Sequence, residues 1–250
     1  MPSLKYNIFM RFFIKFSYNG THYHGWQFQP NATSVQETLT KAIGLLLKTE
    51  INLVGAGRTD TGVHASEMFA HFDFDNKIDS PKLIYKLNTL LPPDIAVTEI
   101  YEVAPDMHAR FSAKKRTYQY YIHTEKNPFL ENQSWYLNKK LDILQMNQAS
   151  EKLLNYTDFE CFSKVNTDVN TFNCNIQKAI WTTENKQLIF TISADRFLRN
   201  MVRAIVGTLI NVGLNKISID DFENIIKSKN RQKAGFSVPA HGLFLRKIEY

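Results

Sequence analysis

The chain has 250 residues, of which 44% are hydrophobic and 22% are charged, a composition that excludes disordered, collagen-like and coiled-coil proteins. The 30 basic side chains outnumber the 24 acidic ones, mostly through residues 126–250, so the sequence favours a polyanionic partner. No apolar run approaches the ~18 residues of a membrane helix, and Arg11 and Lys15 interrupt the N-terminus where a signal peptide would lie. Cys161 and Cys174 form no CxxC pair. We therefore expect a cytoplasmic protein with no membrane association.

The first half of the chain predicts strands and helices in alternation. Apolar residues recur at every second position in the predicted strands and at helical spacing in the predicted helices, and Ser34 opens the first helix with a capping box. The strands are predicted at 11–18, 52–56, 68–74 and 95–103, and the helices after Ser34 and from 80 to the prolines at 92 and 93. This pattern is typical of an α+β unit.

The second half predicts a similar order of elements. Its strands are predicted at 115–123, 176–183, 188–194 and 243–250, and its helices at 139–154, at 196–213 and after a cap at Ser218. The repeated order predicts two α+β units. The seam is expected within 105–112, so we divide the chain into domains 1–108 and 109–250.

A glycine-rich segment, Gly55-Ala-Gly-Arg-Thr-Asp-Thr-Gly62, carries the first candidate for catalysis. Its glycines permit positive φ angles and the close approach of another molecule. Arg58 lies two residues before Asp60, so its guanidinium could hold that carboxylate ionised, as a nucleophile requires. Alternatively, Asp60 caps an Asx turn, or Asp-Thr-Gly belongs to an aspartic protease, which would need a dimer because the chain has one such tripeptide.

A second segment, residues 18–29, is dense in aromatic rings and side-chain amides and follows a predicted strand. Such a loop can stack on unpaired bases and hydrogen-bond their edges, or it can simply pack against the sheet. His22, His24, His64 and His71 offer possible metal donors. No cysteine or carboxylate stands at ligand spacing from them, so we expect no metal site.

A third segment, residues 114–122, begins with Lys-Lys-Arg and continues with alternating residues that predict a strand. In a strand, Tyr118 and Tyr120 share one face, so a tyrosine ring there could stack on a base or pack in the core.

A fourth segment places arginines at helical spacing. In a helix over 196–213, Arg196, Arg199, Arg203 and Gly207 fall on one face, opposite an apolar face. Such a row of arginines could hold a phosphate backbone, pair with a buried carboxylate or form a solvated basic surface.

Taken together and in this order, these segments resemble the TruA family of tRNA pseudouridine synthases. YNGTHYHGWQFQ at 18–29 is similar to the family's YDGTxYxGWQxQ, and GRTDTGVHA at 57–65 is similar to its catalytic GRTDAGVHA. KRTYQYYI, FLRNMVRAIVG and PAHGLFL follow as further similar motifs, and the resemblance covers about 11–245. The chain departs from the pattern mainly at Asn200, Ala204 and 236–238, where Phe-Ser-Val replaces the usual Pro-Thr-Ala.

The resemblance implies an α+β fold with two RRM-like (ferredoxin-like) lobes, whose mainly antiparallel sheets join into one extended sheet with an active-site cleft between the lobes. It also implies an isomerase, a tRNA pseudouridine(38–40) synthase that converts uridine to pseudouridine at positions 38, 39 and 40 of the tRNA anticodon stem-loop. A homodimer that holds tRNA is expected, with no cofactor and no metal.

The resemblance further implies roles for individual residues. Asp60 is expected to be the nucleophile, and Tyr118 to stack on the target base. Arg203 is expected to pair with Asp60, and Arg58 to occupy the vacated stack or grip a phosphate when the uridine flips out. Arg196 and Arg199 remain candidates for substrate binding. A noncatalytic RNA-binding module of similar fold is the alternative from another class, and it would have no use for an ionised carboxylate beside RNA phosphates.

Overall fold

The computed structural model describes residues 9–165 and 170–250. The chain divides into two compact units, one that extends to Ala113 and includes Tyr250, and one that spans Lys114–Glu249. Each unit combines helices with a mainly antiparallel sheet, which confirms the expected mixture of α and β structure.

The first unit contains a sheet with strand order β4-β1-β3, and the short β2 pairs with β3. All of these pairings are antiparallel. Its strands are β1 (Met10–Tyr18), β2 (Val54–Gly55), β3 (His64–Phe74) and β4 (Ile95–Val103), and its helices are α1 (Val35–Leu47) and α2 (Ser80–Leu90).

Strand β1 is central in this sheet and is covered on both faces. Phe12 and Phe16 are buried as their alternation predicts, but Phe13, on the opposite face, is also only 1% exposed. The ring of Phe13 packs at 5.1 Å from that of Tyr250, whose hydroxyl donates a hydrogen bond to the carbonyl oxygen of Ala109. Tyr250, which is half-buried, therefore packs with the first unit.

The caps of α1 and α2 follow from their sequence. Ser34 Oγ accepts the backbone N–H of Glu37, as predicted, but the Glu37 carboxylate bonds Lys41 instead of completing a capping box. Asp79 caps α2 in the same way, and that helix ends at Leu90, before the two prolines that cannot continue it.

The second unit contains a sheet with strand order β9-β5-β8-β7, in which these neighbours are antiparallel, and the short β6 runs parallel to β5. Its strands are β5 (Lys115–His123), β6 (Trp135–Tyr136), β7 (Ile176–Glu184), β8 (Gln187–Ala194) and β9 (Leu243–Glu249), and its helices are α3 (Ile143–Lys152), α4 (Met201–Gly213) and α5 (Ile219–Lys227).

Two predicted helix starts in this unit are wrong. Helix α3 begins at Ile143 rather than at 139, because Asp142 caps it by accepting the N–H of Gln145. Helix α4 begins at Met201 rather than at 196, because Asn200 is left-handed at φ 65° and breaks any helix that would pass through it.

Helix α4 is also buried more completely than its sequence pattern predicts. Ala204, Gly207 and Ile210 are buried along with the expected apolar face, and Arg203 is half-buried. The helix therefore has no solvated basic face.

Within the described residues, no helix combines the length and apolarity needed to cross a bilayer. Cys161 and Cys174 are both free and buried, and burial raises the pKa of each thiol to about 12.

Candidate active site

Asp60 lies in the loop between β2 and β3 of the first unit and is half-buried. The N–H of Val63 donates a 3.1 Å hydrogen bond to the Asp60 carbonyl oxygen, which closes a turn over Asp60–Val63. Gly62 has a φ of 79° at the third position of this turn, where an L side chain would be strained. The sequence Asp-Thr-Gly thus forms a tight turn, and this turn fixes the backbone of Asp60, from which the carboxylate projects.

The aromatic segment 18–29 packs against this loop and forms hydrogen bonds with its backbone. The N–H of Trp26 donates to the carbonyl oxygen of Thr59 at 3.3 Å, and the N–H of Gly62 donates to that of Tyr23 at 3.3 Å. The two motifs that stand apart in the sequence therefore form one structure in the first unit, with backbone hydrogen bonds on both sides of Asp60.

Two glycines allow these segments to approach so closely. A Cβ atom on Gly25 would lie 2.2 Å from the Thr59 carbonyl oxygen, and Gly25 itself has a φ of 85°. A Cβ atom on Gly55 would lie 2.4 Å from the indole ring of Trp26, which stacks on Phe16 in the core. Side chains at either position would push the Asp60 loop away from its support.

Three of the six rings of segment 18–29 serve this packing. Tyr18, Tyr23 and Trp26 are 4%, 4% and 2% exposed, so of the two interpretations of this segment, packing applies to these three. His24 and Phe28 are exposed.

Arg58 is exposed, and its Nε donates a 3.2 Å hydrogen bond to the side-chain oxygen of Gln27. This hydrogen bond ties the guanidinium to segment 18–29.

The two buried histidines of the first unit, His64 and His71, have structural partners. The N–H of Gly20 donates to Nδ1 of His64 at 3.0 Å, and the N–H of Ala109 donates to Nδ1 of His71 at 3.2 Å. In the part of the chain that the structure describes, no three histidine, cysteine, aspartate or glutamate side chains are grouped to hold a metal ion.

Tyr118 is half-buried on β5 in the second unit. Its ring makes an edge contact with Phe197, with 5.2 Å between the ring centroids, in the segment that joins β8 to α4. Tyr120, on the same face, is fully buried and donates its hydroxyl to the carbonyl oxygen of Pro239 at 2.8 Å. Of the two tyrosines, Tyr118 is thus the one that remains accessible to a ligand.

Arg203 lies in the first turn of α4. Its Nε donates a 2.7 Å hydrogen bond to the carbonyl oxygen of Val238, and the N–H of Val238 returns a 3.3 Å bond to the Arg203 carbonyl oxygen. Burial, and then the positive charges of His123 and Arg203, lower the pKa of His241. His241 is therefore a neutral neighbour of Arg203 near pH 7.

Arg196 and Arg199 lie in the segment between β8 and α4, so the predicted helical row with Arg203 does not exist. Asp195 Oδ1 accepts the N–H of Arg196 at 2.7 Å, which turns the chain at the end of β8. The carbonyl oxygen of Arg199 accepts the N–H of Lys164 at 3.0 Å, while its side chain is exposed. Phe197, which contacts Tyr118, lies between these two arginines in the same segment.

Several contacts that support the Asp60 loop and Arg203 are not evident from the sequence. The contact of Tyr18 with Thr59 joins residues 41 positions apart, and the Val238 carbonyl oxygen that binds Arg203 belongs to the backbone. Residue type and local spacing carry no information about either contact.

Comparison with known proteins identifies the family. A family model described as tRNA pseudouridine synthase matches residues 15–112 and 149–250. The tRNA pseudouridine synthase A of Bacteroides fragilis is 53% identical over 242 residues, and that of Parabacteroides distasonis is 53% identical over 241, with 96% of each chain covered in both cases. The corresponding protein of Thermoanaerobacter sp. is 44% identical over 245 residues, which cover 95% of this chain and 98% of the relative.

These matches span both motif-bearing units and remove the aspartic-protease alternative for Asp-Thr-Gly. The chain therefore belongs to the TruA family of tRNA pseudouridine synthases, which confirms the resemblance of its motifs and the expected isomerase class.

Proposed function

We propose that this chain isomerises uridine to pseudouridine at positions 38, 39 and 40 in the anticodon arm of tRNA, with Asp60 as the nucleophile. The observation that carries the proposal is the half-buried Asp60 in a loop whose backbone is hydrogen-bonded on both sides to segment 18–29. A loop whose backbone is held on both sides of Asp60 supports the demand of covalent catalysis for a nucleophile in a fixed position.

The reaction needs an attacking group and proton transfers but no redox step. The carboxylate of Asp60 attacks either C6 of uracil or C1′ of ribose, and the N1–C1′ bond breaks. The uracil rotates and its C5 bonds to C1′. A carboxylate that had attacked C1′ leaves as this bond forms, whereas one that had attacked C6 is eliminated from the ring afterwards. The C5 proton is lost and N1 gains one, so atoms and charge balance without a cofactor.

We assign supporting roles to residues of both expected lobes, 1–108 and 109–250. Tyr118 stacks on the target base, and Arg203 pairs with Asp60 to keep the carboxylate charged. Arg58 takes the place of the flipped uridine or grips a phosphate, because a base inside a stem hides its reacting atoms. The exposed position of Arg58 supports this assignment.

Arg196 and Arg199 are proposed to contact the tRNA backbone near Tyr118. The exposed guanidinium of Arg199 and the basic excess of the second half of the chain support such contacts.

We further propose that the protein acts in the cytoplasm as a homodimer, with the target uridine in a cleft between the RRM-like lobes.

The test is direct. Incubation with unmodified tRNA transcripts, followed by carbodiimide mapping, should reveal pseudouridine at positions 38–40, and transcripts with cytidine at those positions should remain unmodified. Asp60→Asn should form no pseudouridine while its tRNA affinity stays within about an order of magnitude, since most contacts are with phosphates. Turnover by pure Asp60→Asn protein would remove Asp60 from the nucleophile role. A wild-type protein that binds tRNA but never modifies it would favour the RNA-binding module.

A further inference from the structure

Residues Gly235–Val238, which we call the strap, cross the first turns of α4 in close backbone contact. A Cβ atom on Gly207 would lie 1.8 Å from the carbonyl oxygen of Phe236, and one on Gly235 would lie 2.7 Å from the backbone of Gly207. The N–H of Gly235 also donates to Thr208 Oγ1 at 2.9 Å. Paired glycines thus let the strap lie directly on the helix that carries Arg203.

The strap sets the orientation of Arg203. The Val238 carbonyl oxygen accepts the Nε–H of Arg203 at 2.7 Å, and Val238 is fully buried, so the acceptor cannot move independently of the strap. Because the guanidinium is planar, fixing Nε fixes the direction in which both terminal nitrogens point.

Arg231, four residues before the strap, holds it by a bidentate contact. Its Nη1 donates to the carbonyl oxygen of Gly235 at 3.1 Å, and its Nη2 donates to Ser237 Oγ at 2.9 Å. The same Ser237 oxygen accepts from Nδ2 of Asn200, the left-handed residue before α4. One guanidinium therefore ties together the strap and, through Ser237, the start of the helix.

We propose that Arg231 is a positioning residue, which orients the Arg203 guanidinium for catalysis by fixing the strap. This inference rests on the proposed role of Arg203. A lysine could not replace Arg231. The planar guanidinium directs two donors at two fixed acceptors, whereas lysine has one ammonium group on a flexible stem. A direct phosphate contact is less well supported, because both terminal nitrogens of Arg231 already bond within its own segment.

The experiment measures kcat, KM, the salt dependence of tRNA binding and thermal stability for Arg231→Met and Arg231→Lys. We expect both substitutions to lower kcat by about tenfold, since a small misplacement of a reacting group has effects of this order. KM and the salt slope should stay unchanged. Ser237→Ala, which removes one of the two acceptors, should give a smaller loss in the same direction. Lys233→Met, an exposed charge loss two residues away, is the matched control and should leave kcat unchanged.

The decisive comparison repeats Arg231→Met in an Arg203→Lys background, where no Nε is available to the strap. If Arg231 acts through Arg203, the second substitution should lower kcat no further. An equal loss in both backgrounds, rescue by Arg231→Lys, or a reduced salt slope would overturn the inference while leaving the role of Arg203 intact. Undiminished activity of Arg203→Lys and Arg203→Met would instead overturn the proposed role of Arg203 and the inference with it.

Discussion

The hydroxyl of Tyr18 lies 2.8 Å from Oγ1 of Thr59, the residue that precedes Asp60. Tyr18 ends β1 and is almost fully buried, so this hydrogen bond ties the Asp60 loop to the central strand of the first sheet. The backbone carbonyl oxygen of Thr59 is held as well, by Trp26. Thr59 is therefore fixed through both its side chain and its backbone.

Removal of the Tyr18 hydroxyl should impair turnover more than folding. We expect Tyr18→Phe to lower kcat by about threefold to tenfold, because a loosened Thr59 lets the Asp60 carboxylate drift, while one lost hydrogen bond costs only about 1 kcal/mol of stability. Single-turnover pseudouridine formation at saturating tRNA measures the rate, and thermal unfolding measures the stability. Thr59→Val should have the same effect, and the double variant should be no worse than either. An unchanged rate in both single variants would refute this coupling.

Gly25→Ala should destabilise the first unit, whereas Gly57→Ala should not. The added methyl group meets the Thr59 carbonyl oxygen and places alanine at a positive φ, so we expect a loss of at least about 2 kcal/mol in stability. A Cβ atom on Gly57 meets nothing within 4 Å, so Gly57→Ala should leave the unfolding temperature near that of the wild type. Calorimetry on both variants makes the comparison, and equal stability of the two would contradict the close approach of the loops.

Binding of tRNA should weaken steeply with salt. Arg199→Ala should reduce the slope of log affinity against log salt by about one unit, because each neutralised phosphate releases about one counterion. Titrations at several salt concentrations measure the slope. Lys41, already paired with Glu37 on α1, provides the control substitution, Lys41→Ala. If Arg199→Ala keeps the full slope, Arg199 does not contact phosphate.

Acidification should destabilise the fold through His71. Burial, and then the positive charges of Arg11 and His108, lower the pKa of His71 to about 4, and its Nδ1 accepts the N–H of Ala109. Between pH ~4 and ~6.5 the unfolded chain therefore binds a proton that the folded chain excludes, so stability falls as pH falls through this window.

Urea unfolding at successive pH values tests this dependence. In His71→Asn, which keeps an acceptor but does not titrate, the fall in stability between pH ~6.5 and ~4 should become shallower. His24→Asn, at an exposed position, controls for the loss of a histidine. A His71→Asn profile identical to that of the wild type would assign the acid sensitivity to other groups.

The strands were the most predictable part of this fold. The predicted limits of β4 and β5 agree with those observed, because their alternation is strong and breaks at both ends. The helix predicted at 196–213 was partly wrong because Arg196, Arg199 and Arg203 have helical spacing by coincidence. Whether an asparagine such as Asn200 adopts the left-handed region depends on its tertiary contacts, here with Ser237.

The motifs around Asp60, Tyr118 and Arg203 could be found from the sequence, whereas the groups that orient them could not. The partners of Thr59 come from residues 18–26, and the partner of Arg203 is a backbone carbonyl oxygen 35 positions later. Contacts between residues so far apart in the sequence depend on how the strands and helices pack. The type of a residue does not show this packing.

The support of the Asp60 loop by segment 18–29 has a consequence for the order of folding. The loop obtains backbone hydrogen bonds at Thr59 and Gly62 from a segment that lies before α1, and we expect these contacts to close after β1 and β3 have paired. In pulse-labelled refolding, the amide of Gly62, which donates to Tyr23, should become protected later than the amides of β3. A chain whose first sheet has paired but whose segment 18–29 has not yet docked would thus still lack an ordered nucleophile, and turnover would require this docking as well as the folding of the second unit.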